Sequence, residues 1–455
     1  MDQAENTPKD PHDQAFFEQM RGCRDNYRKL ADAIHAVVGK QESCLDIGCG
    51  IGLQTARLKE LGWEQTSGAE FSPFAIEMME PGVTVHEFDL TKKEGGCGFR
   101  GDWGCVICTE TAEHIPEHHS LAIVDNVASL ARDVIVWSAA APGQEWEGHI
   151  NLQYPDYWLT RFRAHGWVLD EGKTAQLRGL MEMKQAQHYL GRQNFCVLVK
   201  STERPLHFTI VSTVFNAERW IGKCIESVRR QTFRNYTHIV VDARSDDQTG
   251  AIADREAAGD PQLTVIHNEV RQEALENCWA IWKDLPDDEV IVWLDGDDWL
   301  AHDAALEVIA NAYYDPNTWL TYGQFMFSDG EVGFAAPYPP GAAARYMDWR
   351  ATHLKTFRAG LVKKLLSSWE ASGIPGCLTR PNGSWIYLAI DKAVMWPLLE
   401  MAGEHYRCIY QVVSVYNFQA SWAAQRKPEH RQVELNEAER IRALPPFQPL
   451  LERPW

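Results

Sequence analysis

Apolar positions along the chain recur in two rhythms, and their alternation predicts the architecture. Residues 15–40 set Phe16, Phe17, Met20, Tyr27, Leu30, Ile34 and Val37 at helical spacing among charged positions, which predicts lead-in helices. Short apolar runs follow at Cys44–Ile47, Thr66–Ala69, Val83–Phe88, Cys105–Thr109, Val134–Trp137 and Phe195–Val199, and these read as strands. Helical patterns such as Leu53–Leu61 and Leu121–Ala131 lie between them. The alternation predicts a parallel sheet with helices on both faces. A polar, Pro-containing segment, Ser201–Leu206, interrupts the rhythm. It restarts with Phe208–Thr213, a helix through Trp220–Arg230, and strands at Thr237–Asp242, Leu263–His267 and Glu289–Asp295. The expected fold is α/β, as two doubly wound domains over residues 1–201 and 207–445. Phe334–Gly341, rich in Ala, Pro and Gly, reads as a loop over a site, and Gln419–Trp455 as a packed helix or a trailing tail.

Composition supports this reading and narrows it. A chain of 455 residues is too long for one ordinary core and suits two domains of about 200 residues. Hydrophobic residues at 45% and charged residues at 24% fit a soluble globular protein. The net charge of -19 repels a polyphosphate backbone and argues against a general nucleic-acid binder. Met1–Gln14 is polar and shows no secretory pattern, and the longest apolar runs, Val134–Trp137 and Val290–Leu294, are strand-sized. No membrane span is expected. The 11 cysteines then read as reduced, mostly buried thiols, and the expected location is cytoplasmic.

The first candidate site starts at Cys44-Leu-Asp-Ile-Gly-Cys-Gly-Ile-Gly52, an apolar strand ending in Gly48, Gly50 and Gly52 before a helix. Glycines here let the backbone turn tightly and approach a ligand, and the helix N-terminus faces it with free N–H groups. A dinucleotide fingerprint would place its third glycine where Leu53 stands, so a nucleoside without a pyrophosphate is favoured. Glu70 closes the next strand, where a carboxylate can take both hydroxyls of an adenosine ribose. Asp89 follows the third strand and can accept from an adenine amino group. With Asp46, and with Thr109-Glu-Thr-Ala-Glu-His-Ile-Pro116 after the fourth strand, residues 40–200 resemble class I S-adenosylmethionine (SAM)-dependent methyltransferases. The resemblance implies a Rossmann-like fold, SAM as cofactor, and a binding role for Asp46, Gly48, Gly50, Gly52, Glu70, Asp89 and Glu110.

Methyl transfer is an in-line displacement at a sulfonium, so such an enzyme mainly positions the nucleophile and takes its proton. His149, in Gly148-His-Ile-Asn151 after the fifth strand, is the candidate base for a hydroxyl acceptor. His114, His118 and His119 crowd one helix start, where capping and pocket lining outweigh metal binding. Cys105 and Cys108 form a C-x-x-C, but residues three apart on a strand face opposite sides, which excludes a metal or redox pair.

The second candidate site lies on Phe208-Thr-Ile-Val-Ser-Thr-Val-Phe-Asn216, with Glu218 opening a helix, on a second strand ending at Asp242, and on Val290-Ile-Val-Trp-Leu-Asp-Gly-Asp-Asp298. Alternating carboxylates at a strand end put Asp295 and Asp297 on one side of the backbone. Two hard oxygens there can hold Mg²⁺ or Mn²⁺ and bridge a diphosphate. Residues 207–400 resemble the family 2 glycosyltransferases of GT-A fold. The resemblance implies a nucleotide-sugar donor contacted by Asn216 and Glu218, with Asp242 on the base, Asp295 on ribose or metal, and Asp297 on the metal. It also implies a catalytic base at Asp391, in Ala389-Ile-Asp-Lys-Ala-Val-Met-Trp396, whose bland alternative is a helix N-cap. The usual Asp-Asp-Gly-Ser run is here Asp242-Ala-Arg-Ser245, a departure that bears on base and sugar contacts. His353 and Arg358 could reach a diphosphate from a mobile segment or face solvent on a helix, and Trp282, Trp293 and Trp299 could border a sugar or pack in the core.

Together the two sites predict a bifunctional enzyme with a glycan or glycolipid acceptor. Two other classes stay open on the sequence. One domain could be a non-catalytic binding module, or both could modify nucleic acid, against which the charge weighs.

Overall fold

Two stretches of alternating strand and helix give two compact units. The computed structural model describes residues 13–92, 101–146, 148–183, 192–202, 204–339, 341–372, 376–419 and 428–455. Residues 1–12 of the polar start, 203 of the inter-domain segment, 340 of the Ala/Pro/Gly stretch and 420–427 of the tail lie outside these. The chain divides into Met1–Pro205 and Leu206–Trp455.

In the first unit seven strands form one sheet: β1 (Ser43–Ile47), β2 (Gln65–Glu70), β3 (Thr84–Glu87), β4 (Trp103–Thr109), β5 (Ala131–Ser138), β6 (Trp167–Leu169) and β7 (Cys196–Lys200). Their order is β3-β2-β1-β4-β5-β7-β6. The sheet is parallel from β3 to β5, then reverses, because β7 runs antiparallel to both β5 and β6. The apolar pattern did not predict β6; three residues are too few to show a period. Along each central strand, side chains alternate between two cores. Leu45, Val106 and Ile135 pack with Ile123, Val127 and Phe162, while Cys44 and Val134 pack with Leu30, Ile34 and Met181. Cys105 and Cys108 accordingly sit in opposite layers.

Among the described residues the second unit has eight strands: β8 (Phe208–Val214), β9 (Tyr236–Asp242), β10 (Leu263–His267), β11 (Val290–Trp293), β12 (Trp299–Leu300), β13 (Leu320–Phe327), β14 (Lys355–Arg358) and β15 (Tyr406–Tyr416). Their order is β10-β9-β8-β11-β14-β13-β15-β12. The four strands from β10 to β11 are parallel, and β14 enters antiparallel between β11 and β13. That insertion sets Lys355 directly opposite Trp293, at the end of β11 from which the acidic turn departs.

The tail does not trail. Helix Pro428–Ala443 buries Ala438 and Ile441 in the same core as Trp396, and Phe447, Leu450 and Trp455 pack on that core. The buried Arg345 holds it there. Its guanidinium pairs with Glu400 at 2.6 and 2.7 Å and donates to the Ile441 and Leu444 carbonyls at 2.9 and 2.7 Å. The Phe334–Gly341 stretch is pinned in the same way, since Tyr322 and Tyr406 donate their hydroxyls to the Ala336 and Tyr338 carbonyls at 3.0 and 2.9 Å. Among the described residues, no helix is long and apolar enough to cross a membrane.

Candidate active sites

At the carboxyl end of β1, Gly48 and Gly50 take φ of 68° and 54°, a region that disfavours other residues. A Cβ on Gly48 would lie 2.3 Å from Thr111 Oγ1, and one on Gly50 2.5 Å from Met20 Cε, so the turn is a close-fitting cradle. Glu70, ending β2, braces it. Its Oε2 accepts the Gly50 amide at 2.8 Å, and its Oε1 accepts the Phe71 and Ser72 amides at 2.8 and 2.9 Å. Burial raises its carboxyl above the ordinary value despite those three donors. Asp46 points beneath the turn, toward helix Leu53–Glu60, and accepts from Thr55 Oγ1 at 2.7 Å and Gln54 Nε2 at 3.3 Å. Burial pushes it up to about 7. Asp89 accepts the Thr91 amide and hydroxyl at 2.9 and 2.6 Å and pairs with Lys92 at 3.0 Å.

Glu110 follows β4 with φ of 51°, and its Oε1 accepts from Ser138 Oγ, on β5, at 2.8 Å. Burial pushes its carboxyl up to about 7. Glu113 and His114 occupy the next turn, a short 3₁₀ segment rather than the start of a regular helix, and His118 and His119 lie in a second one. His149 comes to the first turn because the Ile150 and Asn151 amides donate to the Glu113 carbonyl at 2.8 and 3.1 Å. The described non-glycine residues with positive φ are Glu110, Asn216, Arg244 and Ala389, and all four fall on the candidate-site loops. Such strain gathers where function requires a fixed geometry.

In the second unit the acidic run is a turn, not a strand end. β11 stops at Trp293, and the Asp298 amide donates to the Asp295 carbonyl at 3.0 Å. Gly296 lets this turn press on β8; a Cβ there would lie 2.7 Å from the Val214 Cβ. Strand alternation therefore does not group the carboxylates. Asp295 and Asp298, with His353, place one ligand atom each within 4.8 Å of one another. Asp297 is half-buried beside them, with its backbone carbonyl held by Asn417 Nδ2 at 3.1 Å. Burial pushes Asp295 up to about 7, with Lys355 opposing and Asp297 reinforcing the shift.

Lys355 is the residue the sequence did not single out. It is 1% exposed, pairs with Asp391 Oδ1 at 2.8 Å, and lies 4.8 Å above the Trp293 ring. Asp391 is not an N-cap, because Ala389 holds that position in a left-handed conformation and Asp391 stands in the first turn of helix Ile390–Ala402. Its side chain is 39% exposed, at the rim of the cluster. Burial works to raise its carboxyl, but the Lys355 ammonium, by its charge and its hydrogen bond, leads the opposing effects, and the group lies below its usual value.

Other expectations are corrected by the same geometry. His353 is not on a helix; it precedes β14 and stacks on Tyr416 at 4.9 Å. Burial pushes its ring down to about 3, which keeps it neutral. Arg358 pairs in register with Val290, at the far end of β11 from Asp295, and donates to the Asp288 carbonyl. Trp282 and Trp293 are core residues, at 0% and 2% exposure, so neither offers a sugar platform. Trp299 is half-buried, with Lys223 Nζ 3.4 Å above its ring.

The nucleotide loops interlock. Asp242 accepts the Ser245 amide and hydroxyl at 2.9 and 2.6 Å and faces His267 Nδ1 at 3.2 Å. Asn216 Oδ1 accepts the Asp246 amide at 2.8 Å, and Glu218 Oε2 the Gln248 amide at 3.0 Å.

Residues 16–182 match the model of a methyltransferase domain, and residues 209–364 match glycosyl transferase family 2. The chain joins a methyltransferase domain to a family 2 glycosyl transferase domain. A stretch of 110 residues is 31% identical to the putative glycosyltransferase EpsH of Bacillus subtilis (strain 168), covering 23% of this chain and 30% of that protein. The chain thus spans under a third of this relative's length. Staphylococcus aureus TarS 1-349, solved in complex with UDP-GlcNAc, is similar at 15% identity over 52% of this chain and 66% of its own, with a TM-score of 0.38. The sugar N-methyltransferase KedS8 from Streptoalloteichus sp ATCC 53650 is similar at 15% identity over 44% of this chain and 98% of its own, with a TM-score of 0.33. The methyltransferase domain thus holds the glycine cradle and the Glu113 turn. The glycosyl transferase match holds Asp295 and Lys355, and Asp391 follows it within the same structural unit.

Proposed function

We propose that the chain is a bifunctional glycan-modifying enzyme. Its C-terminal domain transfers a sugar from a nucleotide-diphosphate donor to an acceptor hydroxyl, with inversion, and its N-terminal domain passes a methyl group from SAM to a glycan hydroxyl. The observation that carries the sugar-transfer reading is the buried Lys355 between Asp391 and Asp295, because it keeps a rim carboxylate ionised beside a cluster of metal-ligand type. Asp391 takes the acceptor proton. Asp295 and Asp298, the neutral His353 and the adjacent Asp297 are the residues that would hold Mg²⁺ or Mn²⁺, and the ion supplies positive charge against the leaving diphosphate. Asn216, Glu218 and Asp242 bind the nucleotide.

The glycine cradle fits SAM, which supplies an electrophilic methyl group when bound. Gly48, Gly50 and Gly52 approach the donor, and Glu70, Asp89 and Glu110 orient it, with Asp46 fixing the turn from beneath. Both donors are intracellular metabolites, so we place the enzyme in the cytoplasm, acting on a glycan or glycolipid.

The test is mass spectrometry of donor turnover over a panel of nucleotide sugars, with and without a chelator, together with SAM consumption on candidate glycans. Hydrolysis or transfer of no nucleotide sugar would remove the first half of the proposal. Absence of SAM binding would remove the second.

A further inference from the structure

We infer that Glu113, His114 and His149 bind a divalent metal cation that holds the methyl acceptor's hydroxyl. One ligand atom from each lies within 4.8 Å of the others. Glu113 is fully buried, and neither of its carboxylate oxygens has a hydrogen-bond partner among the described residues. The amides of Glu113 and Ala140 face the carboxyl without closing a hydrogen bond, and the nearby Glu110 repels its charged form. Proteins do not normally leave a buried carboxyl so placed, and a cation among these groups removes the anomaly.

The histidines are prepared for the same partner. His114 Nδ1 lies 3.1 Å from the Gly148 carbonyl and His149 Nδ1 lies 2.7 Å from the Gln144 carbonyl. A carbonyl only accepts, so a neutral ring at His149 would carry its proton on Nδ1 and leave Nε2 to coordinate. Backbone carbonyls fixing the tautomer in this way are the usual outer support of a metal-binding histidine. The Ile150 and Asn151 amides, bonded to the Glu113 carbonyl, make the two ligand-bearing segments one unit. Two imidazoles and a carboxylate suit a first-row divalent ion, and three protein ligands leave positions open for substrate oxygen. The cluster follows β4, where Thr111 touches the Gly48 turn, so an oxygen held here stands beside the methyl donor.

For its chemical purpose the inference rests on the methyltransferase reading. The cation binds the acceptor hydroxyl oxygen and lowers its pKa, and the proton passes to water. The oxygen then forms a bond to the methyl carbon, the carbon–sulfur bond breaks, and its electron pair stays on sulfur to give S-adenosylhomocysteine. His149 is in this account a ligand, not the base. His118 and His119, with ring centroids 4.1 Å apart and the rings tilted at 44°, take no part.

The test uses the full chain carrying Asp295→Ala and Asp298→Ala, which removes metal ligands in the other domain. Mn²⁺ titration followed by electron paramagnetic resonance should find one remaining site of submillimolar affinity. Adding Glu113→Gln, or separately His149→Gln, should weaken it at least roughly tenfold, since loss of an outer support alone costs that much. SAM calorimetry and a thermal melt on each variant report folding. A protein that binds SAM but no Mn²⁺ overturns the metal site and leaves the methyltransferase reading standing. Unchanged Mn²⁺ affinity in both variants overturns it as well. Mn²⁺ binding without SAM binding instead sustains the metal site and removes the methyl-transfer role.

Discussion

At the end of β11, Asp295, Asp298 and Asp391 face an ammonium that the chain itself supplies, Lys355, whose charge acts on all three. In the methyltransferase domain, Asp46, Glu70, Glu110 and Glu113 are all raised by burial, and no cationic side chain among the described residues is a leading cause of any of the four shifts. A buried carboxylate needs a counter-charge, and two domains of one chain meet that need differently. The glycosyl transferase domain carries its cation on a strand, so its site is built before any ligand arrives. In the methyltransferase domain burial instead holds these carboxyls toward their neutral form, and the balancing charge comes, on our reading, from a sulfonium donor and a metal ion.

The largest expected effect tests the self-neutralised side. Asp391→Asn keeps the shape of the side chain and removes the proton acceptor. Sugar turnover should fall by roughly 10²–10⁴ while nucleotide-sugar affinity stays nearly unchanged and methyl transfer is untouched. A rate above about a third of the parent, in a variant with an unchanged melting curve, would assign Asp391 a structural role.

Lys355→Met sharpens the same contrast through stability. Removing one partner of a buried ion pair leaves the other uncompensated, at a typical cost of about 3–5 kcal/mol; the partial exposure of Asp391 favours about 3. The loss should appear in the unfolding of the C-terminal domain alone. It should also be less than additive with Asp391→Asn, because the two changes remove one interaction. Additive losses in that double-mutant cycle would show that Lys355 does not serve Asp391.

These two residues also mark where the sequence stopped being legible. The strands β1, β2, β4, β8, β9 and the glycine turn stood out because period and turn chemistry are local. Glu70 stood out because it ends a strand next to that turn. The Lys355–Asp391 contact is not local: it joins a short strand inserted antiparallel to a helix start further along the chain, and nothing in Lys355-Thr-Phe-Arg358 signals it. Asp298 was hidden by treating the acidic run as a strand, where it would face away from Asp295; the turn at Gly296 reverses that. Glu113 lay in plain view within its motif, but only the three-dimensional packing shows that both its oxygens lack hydrogen-bond partners among the described residues.

On the anionic side, Asp46 gives a pH signature. Its pKa rises to about 7 in the folded protein, so the folded state holds the proton more tightly than the unfolded chain. Stability from this group is therefore complete below its unfolded value and is lost as pH rises toward about 7. The slope is about 1.4 kcal/mol for each pH unit in that window. Asp46→Asn removes the titration, so its melting temperature should gain on the parent steadily from pH 4 toward pH 7 and stay level above that. A constant difference across the range would mean Asp46 is ionised throughout.

The smallest effect concerns Glu70, and two readings of it separate cleanly. As a ribose ligand, it should contribute about 1–3 kcal/mol to SAM affinity, the usual worth of a hydrogen bond to a charged group. In the structure, however, its carboxylate already accepts the Gly50, Phe71 and Ser72 amides, which is work for the fold. Glu70→Ala would weaken the protein on either account, so affinity alone does not decide. Ligand stabilisation does, because a ligand raises the melting temperature only through its affinity for the folded state. If Glu70 merely braces the turn, the parent and Glu70→Gln, which keeps one acceptor oxygen, should share the same SAM-induced shift although the variant melts lower. If Glu70 also binds the ribose, the shift itself should shrink in Glu70→Gln and more so in Glu70→Ala. An unchanged shift in both variants would leave the glycine cradle as the donor site and remove Glu70 from it.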